Sequence, residues 1–485
     1  MIVLGYLLSF LYMGLVIAVG EGLQRKFNFN KEVTRKCEHI ATAMSWVICY
    51  FFVGTTIHLF IINLLACVVL GVITFGNLMQ SVDREDTEKS YGLFYFGLST
   101  TVVAAIVVFV NPSFYPLHGI AWYCLAFGDG FAPIFARIFK KKNVQVIPPK
   151  TIMGMLGVFV FSILSVVVFN YAFSLNYSWA FVLSVGCLST LLELFGKHGE
   201  DNFYVEFGVF GYLVMQYYGL VTTPLIVAII LSVPLVVFSA KSKALTHTAN
   251  AVAFCFLLLC AFCGGWSLMA MVAVLFVLNG LSSKVAGHLH KKSPQTKKES
   301  NERSAWQILA NSGVAAILAI AFYVTRERFF LFGAIAVIGE EFADSMASDF
   351  GRLSRRKPLD ILRLKRMTTG LSGGVSLIGT AMALFGAVLA ILVPYLVLGK
   401  ALPLEIGGLL IGLAFVGTLI DSMLGSGLQA LFKCEVCNSL IENPVHCQTD
   451  AVCVKGISWL DNSMVNFLSG LLTALLTCLS IALIF

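Results

Sequence analysis

The sequence predicts an all-α fold, a polytopic transmembrane helical bundle of about sixteen spans, on three observations. Hydrophobic residues make up 58% of the 485 positions and charged residues only 12%, about half the charged share of a soluble domain. Cutting the chain at its charged loops leaves about sixteen apolar segments near the ~20 residues a spanning helix needs, several of them short or interrupted by Gly and Pro. The cations then segregate. With the loops near 21–38, 77–91, 137–150, 195–203, 241–247, 284–304, 351–366 and 425–462 on one side, only Arg326, Arg328 and Lys400 of the 33 Lys and Arg fall on the other. The positive-inside rule makes the loaded side cytoplasmic and places both termini outside.

The net charge of +7 is accounted for by these retained loops, so the expected partner is a lipid bilayer and no nucleic acid. The first 20 residues are apolar, lack a basic leader and are followed by Glu21, as expected for an uncleaved first span. No Arg- and Ser-rich extension precedes them, which points to a bacterial (inner) plasma membrane. Most of the 13 cysteines are scattered singly through apolar runs, where Cys behaves as a small hydrophobe, and no disulfide framework is implied.

An ionisable residue at membrane depth is costly and reads as a functional site. Asp129 is one, in Gly128-Asp129-Gly130-Phe131-Ala132-Pro133, with Arg137 eight positions on. Asp344-Ser345-Met346-Ala347 repeats the outline, followed by Asp349, Gly351 and Arg352, again with eight positions from Asp to Arg. Where the second span opens, Arg35, Lys36 and His39 share one helical face and suit a phosphate-bearing ligand; a basic helix end with a hydrogen-bonded His is the plainer alternative. The mixed charges from Asp83 to Lys89 read as a solvated turn. Lys140-Lys141-Lys142 follow Asp129, and then Pro148-Pro149-Lys150-Thr151 sets a cation and a hydroxyl at a helix mouth, a ready anion site. Glu193 and Asp201-Asn202 add carboxylates on the same side. Such groups at one membrane face suggest a Mg²⁺–nucleotide site, since phosphoryl transfer asks mainly for positioning and charge neutralisation. A transporter could use the same residue types, although transport sites usually lie near the bilayer midplane.

Taken in order, Arg35-Lys36-x-x-His39, Gly128-Asp129-Gly130-x-Ala132 with Arg137, Lys150-Thr151-x-x-Gly154, and Glu193 with Asp201-Asn202 resemble the motifs of the phytol kinase and dolichol kinase (polyprenol kinase) family over about residues 1–220. The resemblance implies a CTP-type nucleoside triphosphate that phosphorylates a lipid alcohol. Met153 departs from the pattern, which often has Glu there. The Gly- and Asp-rich signature of the related phosphatidate cytidylyltransferases is not found. Pro224, Pro234 and Lys241-Ser242-Lys243 mark the boundary, giving domains 1–235 and 236–485. In the second, Asp344, the run Thr368-Thr369-Gly370-Leu371-Ser372-Gly373-Gly374-Val375-Ser376, Asp421-Ser422-Met423-Leu424-Gly425 and Asp461-Asn462 resemble the integral-membrane family that includes the plant phytyl-phosphate kinase, over roughly 245–485. That resemblance implies phosphorylation of an isoprenyl monophosphate to its diphosphate. The Gly/Ser/Thr run can cradle phosphate with backbone N–H groups or serve close helix packing.

In loop 433–455, Cys434-x-x-Cys437 and His446-Cys447 form a Cys₃His set with the knuckle spacing of structural Zn²⁺. Cys453 can replace one of the adjacent pair, and reduced thiols in a cytosolic loop are the alternative. Asp129 and Asp344, Asp201-Asn202 and Asp461-Asn462, Glu193 and Asp421, and Arg35…His39 and Lys243…His247 recur about eight spans apart, which predicts two parallel repeats. Two kinase-like halves predict a bifunctional isoprenoid-salvage enzyme that converts a prenol (phytol, geranylgeraniol or farnesol type) to its monophosphate and then its diphosphate. Asp129, Glu193 and Asp201 take Mg²⁺ and nucleotide. Arg35, Lys36, Arg137, Lys150 and Thr151 face phosphate, and His39 or Asp129 is the candidate base. In the second half Asp344, Asp421 and Asp461 take Mg²⁺, with Arg352, Thr369, Gly373 and Gly374 near phosphate. The alternatives are one catalytic half, as a prenol kinase or CTP-dependent cytidylyltransferase, and an ion-coupled transporter or lipid flippase.

Overall fold

The computed structural model describes residues 1–27, 31–76, 91–139, 144–290 and 302–484. The expected turn at 83–89 and basic run at 140–142 lie outside the described residues. The protein is a polytopic helical membrane protein that divides into two compact units, Met1–Lys241 and Ser242–Phe485. The first contains α1 (Ile2–Phe27), α2 (Lys31–Phe52), α3 (Ile57–Gly76), α4 (Gly92–Phe109), α5 (Tyr115–Ile138), the strands β1 (Gln145–Ile147) and β2 (Lys150–Thr151), α6 (Ile152–Ala172), α7 (Trp179–Phe195), α8 (Asp201–Tyr217) and α9 (Thr223–Ser242). The second contains α10 (His247–His290), α11 (Ala305–Thr325), α12 (Arg328–Gly351), β3 (Leu359–Asp360), β4 (Gly374–Val375), α13 (Leu377–Leu398) and α14 (Leu404–Gly427). A strand-rich loop, β5 (Leu431–Lys433), β6 (Leu440–Ile441), β7 (Val445–His446), β8 (Thr449–Asp450) and β9 (Val452–Lys455), then leads to α15 (Asn462–Ile484).

Eleven helices among the described residues are long and apolar enough to cross a membrane, fewer than the sixteen spans expected. The reasons are local. Gly265, with φ of 59° and ψ of −143°, is a non-helical kink that divides α10 into two helices, counted once in that total. At 17 residues α7 is short, while α2, α8 and α12 carry charged side chains of the sites described below. With no water in the bilayer core, helices are the way such segments satisfy their own backbone groups.

The two central helices are those that carry the intramembrane aspartates. In the first unit α5 packs against α2, α6 and α8; in the second α12 packs against α10, α11, α13, α14 and α15. The α12–α13 pair is close because position 386 is glycine: a Cβ there would lie 3.0 Å from Ala343 Cα, the small-residue packing usual between membrane helices. Each pair is joined by a two-stranded antiparallel hairpin, β1–β2 after α5 and β3–β4 after α12. In each case a hydroxyl caps the next helix three residues ahead of a glycine. Thr151 Oγ1 accepts from Gly154 N–H at 3.2 Å, and Ser376 Oγ from Gly379 N–H at 3.1 Å, the usual N-cap arrangement.

Candidate active sites

In the first unit α2 crosses α5 at Gly130, where a Cβ would stand 2.3 Å from Ile40 Cγ1. This approach brings Lys36 Nζ into ion-pair contact with Asp129 Oδ1 and leaves His39 Nδ1 3.7 Å from Asp129 Oδ2. Lys36 and Asp129 are both buried, and each makes the other's burial tolerable. The β1–β2 hairpin delivers Lys150 to two further carboxylates, Glu193 at the end of α7 and Asp201 Oδ2 at the start of α8, the latter at 2.8 Å. Burial alone would depress the Lys150 ammonium. The Asp201 and Glu193 carboxylates outweigh that and hold its pKa above the ordinary lysine value.

Asp129, Glu193 and Asp201 each offer an oxygen within 4.8 Å of the others. Glu193 Oε2 and His39 Nε2 are buried without a hydrogen-bond partner. A cavity of about 70 Å³ opens against Arg35, Lys36, Glu38, His39, Thr42, Asp129, Asp201 and Asn202; an apolar wall is added by Val16 and Ile17 of α1, Ile73 of α3 and Phe96 of α4. Of the residues expected here, Thr151 serves as the α6 cap. Arg137 is exposed in the last turn of α5, and neither it nor Lys150 and Glu193 line the cavity.

The second unit holds a larger cavity, about 490 Å³, lined by every residue assigned to that half: Asp344, Arg352, Thr369, Gly373, Gly374, Asp421 and Asp461. Sequence reasoning missed Glu340, Glu341 and Glu442, which join them. Glu340 and Glu341 precede Asp344 by one helical turn, and the rule that singled out Asp129 could have found them. Ser469 Oγ on α15 lies 2.9 Å from Glu340 Oε1 and 3.3 Å from Asp421 Oδ2, and Asn311 Nδ2 donates to Glu341. Asp461 Oδ1 accepts from Met464 N–H at 2.9 Å, capping α15.

With Asp349 included, seven carboxylates line this cavity against two guanidiniums, Arg303 and Arg352. No lysine lines it. The position matching Lys150, directly before the helix-capping hydroxyl, is Val375. Lys243 and His247, the expected counterparts of Arg35 and His39, do not line the cavity, so that part of the repeat does not carry over to the site.

The Gly/Ser/Thr run forms one wall. Gly373 has φ of 82°, and a Cβ there would come 2.4 Å from Ser426 N. Gly373→Ala is therefore expected to destabilise the second unit by at least ~1–3 kcal/mol, read as a lower thermal midpoint in detergent, whereas an alanine at the open, ordinary-φ position 408 of α14 changes it little. In the loop beyond α14, Cys434, Cys437, His446 and Cys447 each bring a ligand atom within 4.8 Å of the others.

Comparison with known proteins bears on the second unit. The family described as "Integral membrane protein DUF92" matches residues 230–474. "Protein PGR" of Arabidopsis thaliana is 29% identical over 287 residues, covering 54% of this chain and 97% of the relative. No solved structure matches the chain significantly.

Proposed function

Since the chain belongs to the DUF92 family of integral membrane proteins, we propose that it is a bifunctional isoprenoid kinase that uses CTP or another nucleoside triphosphate. The first unit phosphorylates a prenol, and the second converts the resulting monophosphate to the diphosphate. On this reading both cavities open to the cytoplasm of a bacterial inner membrane, and the prenyl chain enters laterally from the bilayer.

The observation that carries the reading is the difference between the two cavities. An alcohol acceptor carries a proton that has to leave; a phosphate monoester acceptor is already an anion. The first cavity has a base in place, His39, with Nδ1 turned towards Asp129 and Nε2 unpartnered. As the alcohol oxygen bonds to the γ-phosphorus and the bond to the nucleoside diphosphate breaks, the proton passes to Nε2. Arg35 and Lys36 on the cavity wall, with Lys150 behind Asp201, neutralise the phosphates, and the apolar wall of α1, α3 and α4 takes the chain. Among the described residues no histidine lines the second cavity, and the reaction there requires none. This cavity must hold two phosphorylated substrates, and its surplus of carboxylates matches a larger cation requirement.

Mg²⁺ fits the donors present. Asp129, Glu193 and Asp201 are hard oxygen ligands within 4.8 Å, and Glu193 Oε2 has no other partner. In the second unit Asp344, Asp421 and Asp461 line the cavity but, among the described residues, do not bring their oxygens within 4.8 Å of one another as the first set does, so a cation there would require them to close in. When bound, the ion supplies neutralisation of the charge on the transferring phosphoryl group. The test is transfer of labelled phosphate by purified protein from CTP or ATP, with Mg²⁺, to phytol, geranylgeraniol and phytyl monophosphate. Both products are expected; no transfer from any nucleotide to any of these acceptors ends the kinase reading.

A second reading, ion-coupled transport, draws on one cluster. Glu206, His118 and Ser99 are each fully buried in the first unit, with His118 Nε2 3.4 Å from Glu206 Oε1 and Ser99 Oγ donating to Glu206 Oε2 at 2.6 Å. His118 lies roughly 16 Å along α5 from Asp129, deep enough for a proton-carrying step. Flux coupled to a pH gradient in proteoliposomes, lost in Glu206→Gln, would favour it.

A further inference from the structure

We infer that the loop between α14 and α15 holds a structural zinc ion on Cys434, Cys437, His446 and Cys447, and that this ion fixes the wall of the second cavity formed by Glu442 and Asn443. The loop is built from two tight turns, each presenting two ligands. In the first, Asn438 N–H donates to Cys434 O at 2.9 Å and Cys434 N–H to Ser439 O at 3.0 Å, closing the Cys-x-x-Cys knuckle between β5 and β6. In the second, β7 and β8 are joined by Cys447-Gln448, both with positive φ, 51° and 61°. Two consecutive positive φ values belong to a turn that ordinarily uses Asn-Gly, and side chains other than Gly, Asn and Asp rarely adopt them. Here the turn folds Cys447 back on its neighbour. His446 Nδ1 stands 3.2 Å from Cys447 Sγ and 3.5 Å from Cys437 Sγ.

Nothing else in the loop is adequate to hold these turns together. Its strands are two to four residues long; Phe432 of β5 is buried, but beyond it Val436, Leu440 and Val445 are exposed, so the part of the loop that carries the two turns has little apolar core of its own, the situation in which small folds rely on a metal or disulfides. None of these cysteines is in a disulfide. Three thiols and an imidazole at a C-x₂-C spacing are a tetrahedral set that suits zinc. Cys453, an alternative ligand from the sequence, is turned away: on β9 its Sγ donates to Lys455 O at 3.4 Å.

Between the two ligand turns lies Glu442, whose Oε1 accepts the Ser372 N–H at 2.7 Å. This clamps the loop onto the Gly-rich wall, beside Asp421 and Asp461. An ion that fixes both turns therefore also fixes this wall.

The full-length protein in detergent should contain about one zinc per chain by elemental analysis. Cobalt loaded in its place should give the visible absorption of a tetrahedral thiolate site. Cys437→Ser and Cys447→Ser should each cut zinc content to less than about a tenth, while Cys453→Ser keeps it. Removing zinc with a chelator should speed proteolysis within 433–455 at least ~10-fold, reversibly on adding zinc back. Wild-type protein without zinc, iron in its place, or equal loss in Cys453→Ser overturns the assignment. Because metal content is read without any substrate, it stands or falls separately from the kinase reading.

Discussion

In Asp344→Asn, prenyl monophosphate should accumulate while diphosphate output falls by about 10²–10³-fold, the usual loss when one group stabilising transition-state charge is removed. Asp344 lines a cavity where, among the described residues, seven carboxylates face two guanidiniums and no lysine, so the amide leaves no stranded ammonium and the fold should survive. Asp129→Asn differs. It should remove both products from a prenol, but it also strands the buried ammonium of Lys36, and instability alone could silence the protein. Supplying phytyl monophosphate separates the causes: diphosphate formation should return in Asp129→Asn and stay absent in Asp344→Asn. If Asp344→Asn instead loses the monophosphate as well, the two cavities are not consecutive sites. If it forms both products normally, only the first unit is catalytic.

Much of this arrangement was legible in the sequence because charge inside an apolar run is conspicuous. Asp129 and Asp344 stand out for that reason, and both lie on the central helix of their unit. Two kinds of information were not legible. The first is pairing: Lys150 reads as an anion-binding cation at a helix mouth, yet its ammonium contacts the carboxylates of Glu193 and Asp201, which lie 43 and 51 positions away. The second is which repeated residues are displaced. The spacing of Lys243 and His247 copies that of Arg35 and His39, but neither lines the second cavity, because spacing fixes a shared helical face and says nothing of what that face meets. Glu340 and Glu341 were overlooked beside a more familiar pattern, and the cysteine loop resolved in favour of Cys447 over Cys453 only through the direction of the β7–β8 turn.

Lys150→Met should lower stability by about 3 kcal/mol, the low end for breaking a buried pair, since the Lys150 side chain is 22% exposed while Glu193 and Asp201 are 6%. The loss falls on the carboxylates, which remain buried without a cation. Adding Glu193→Gln and Asp201→Asn should therefore return the thermal midpoint to near the wild-type value, as neutral replacement of a whole buried ionic cluster often does. The pH dependence has a definite sign. A lysine whose folded pKa is raised contributes its full stabilisation below the unfolded value of about 10.4, and loses it as pH climbs through the raised folded value. The lysine's part of the gap between wild type and Lys150→Met should thus persist through neutral pH and close only in strong alkali. Activity should not follow stability. The stable triple variant lacks the cation that neutralises phosphate and two of the three oxygen donors, so prenol phosphorylation should stay at background while conversion of supplied monophosphate proceeds. A triple variant that regains stability together with prenol phosphorylation would make this ion cluster a structural clamp, and the first transfer would then have to rest on Asp129 and His39 alone.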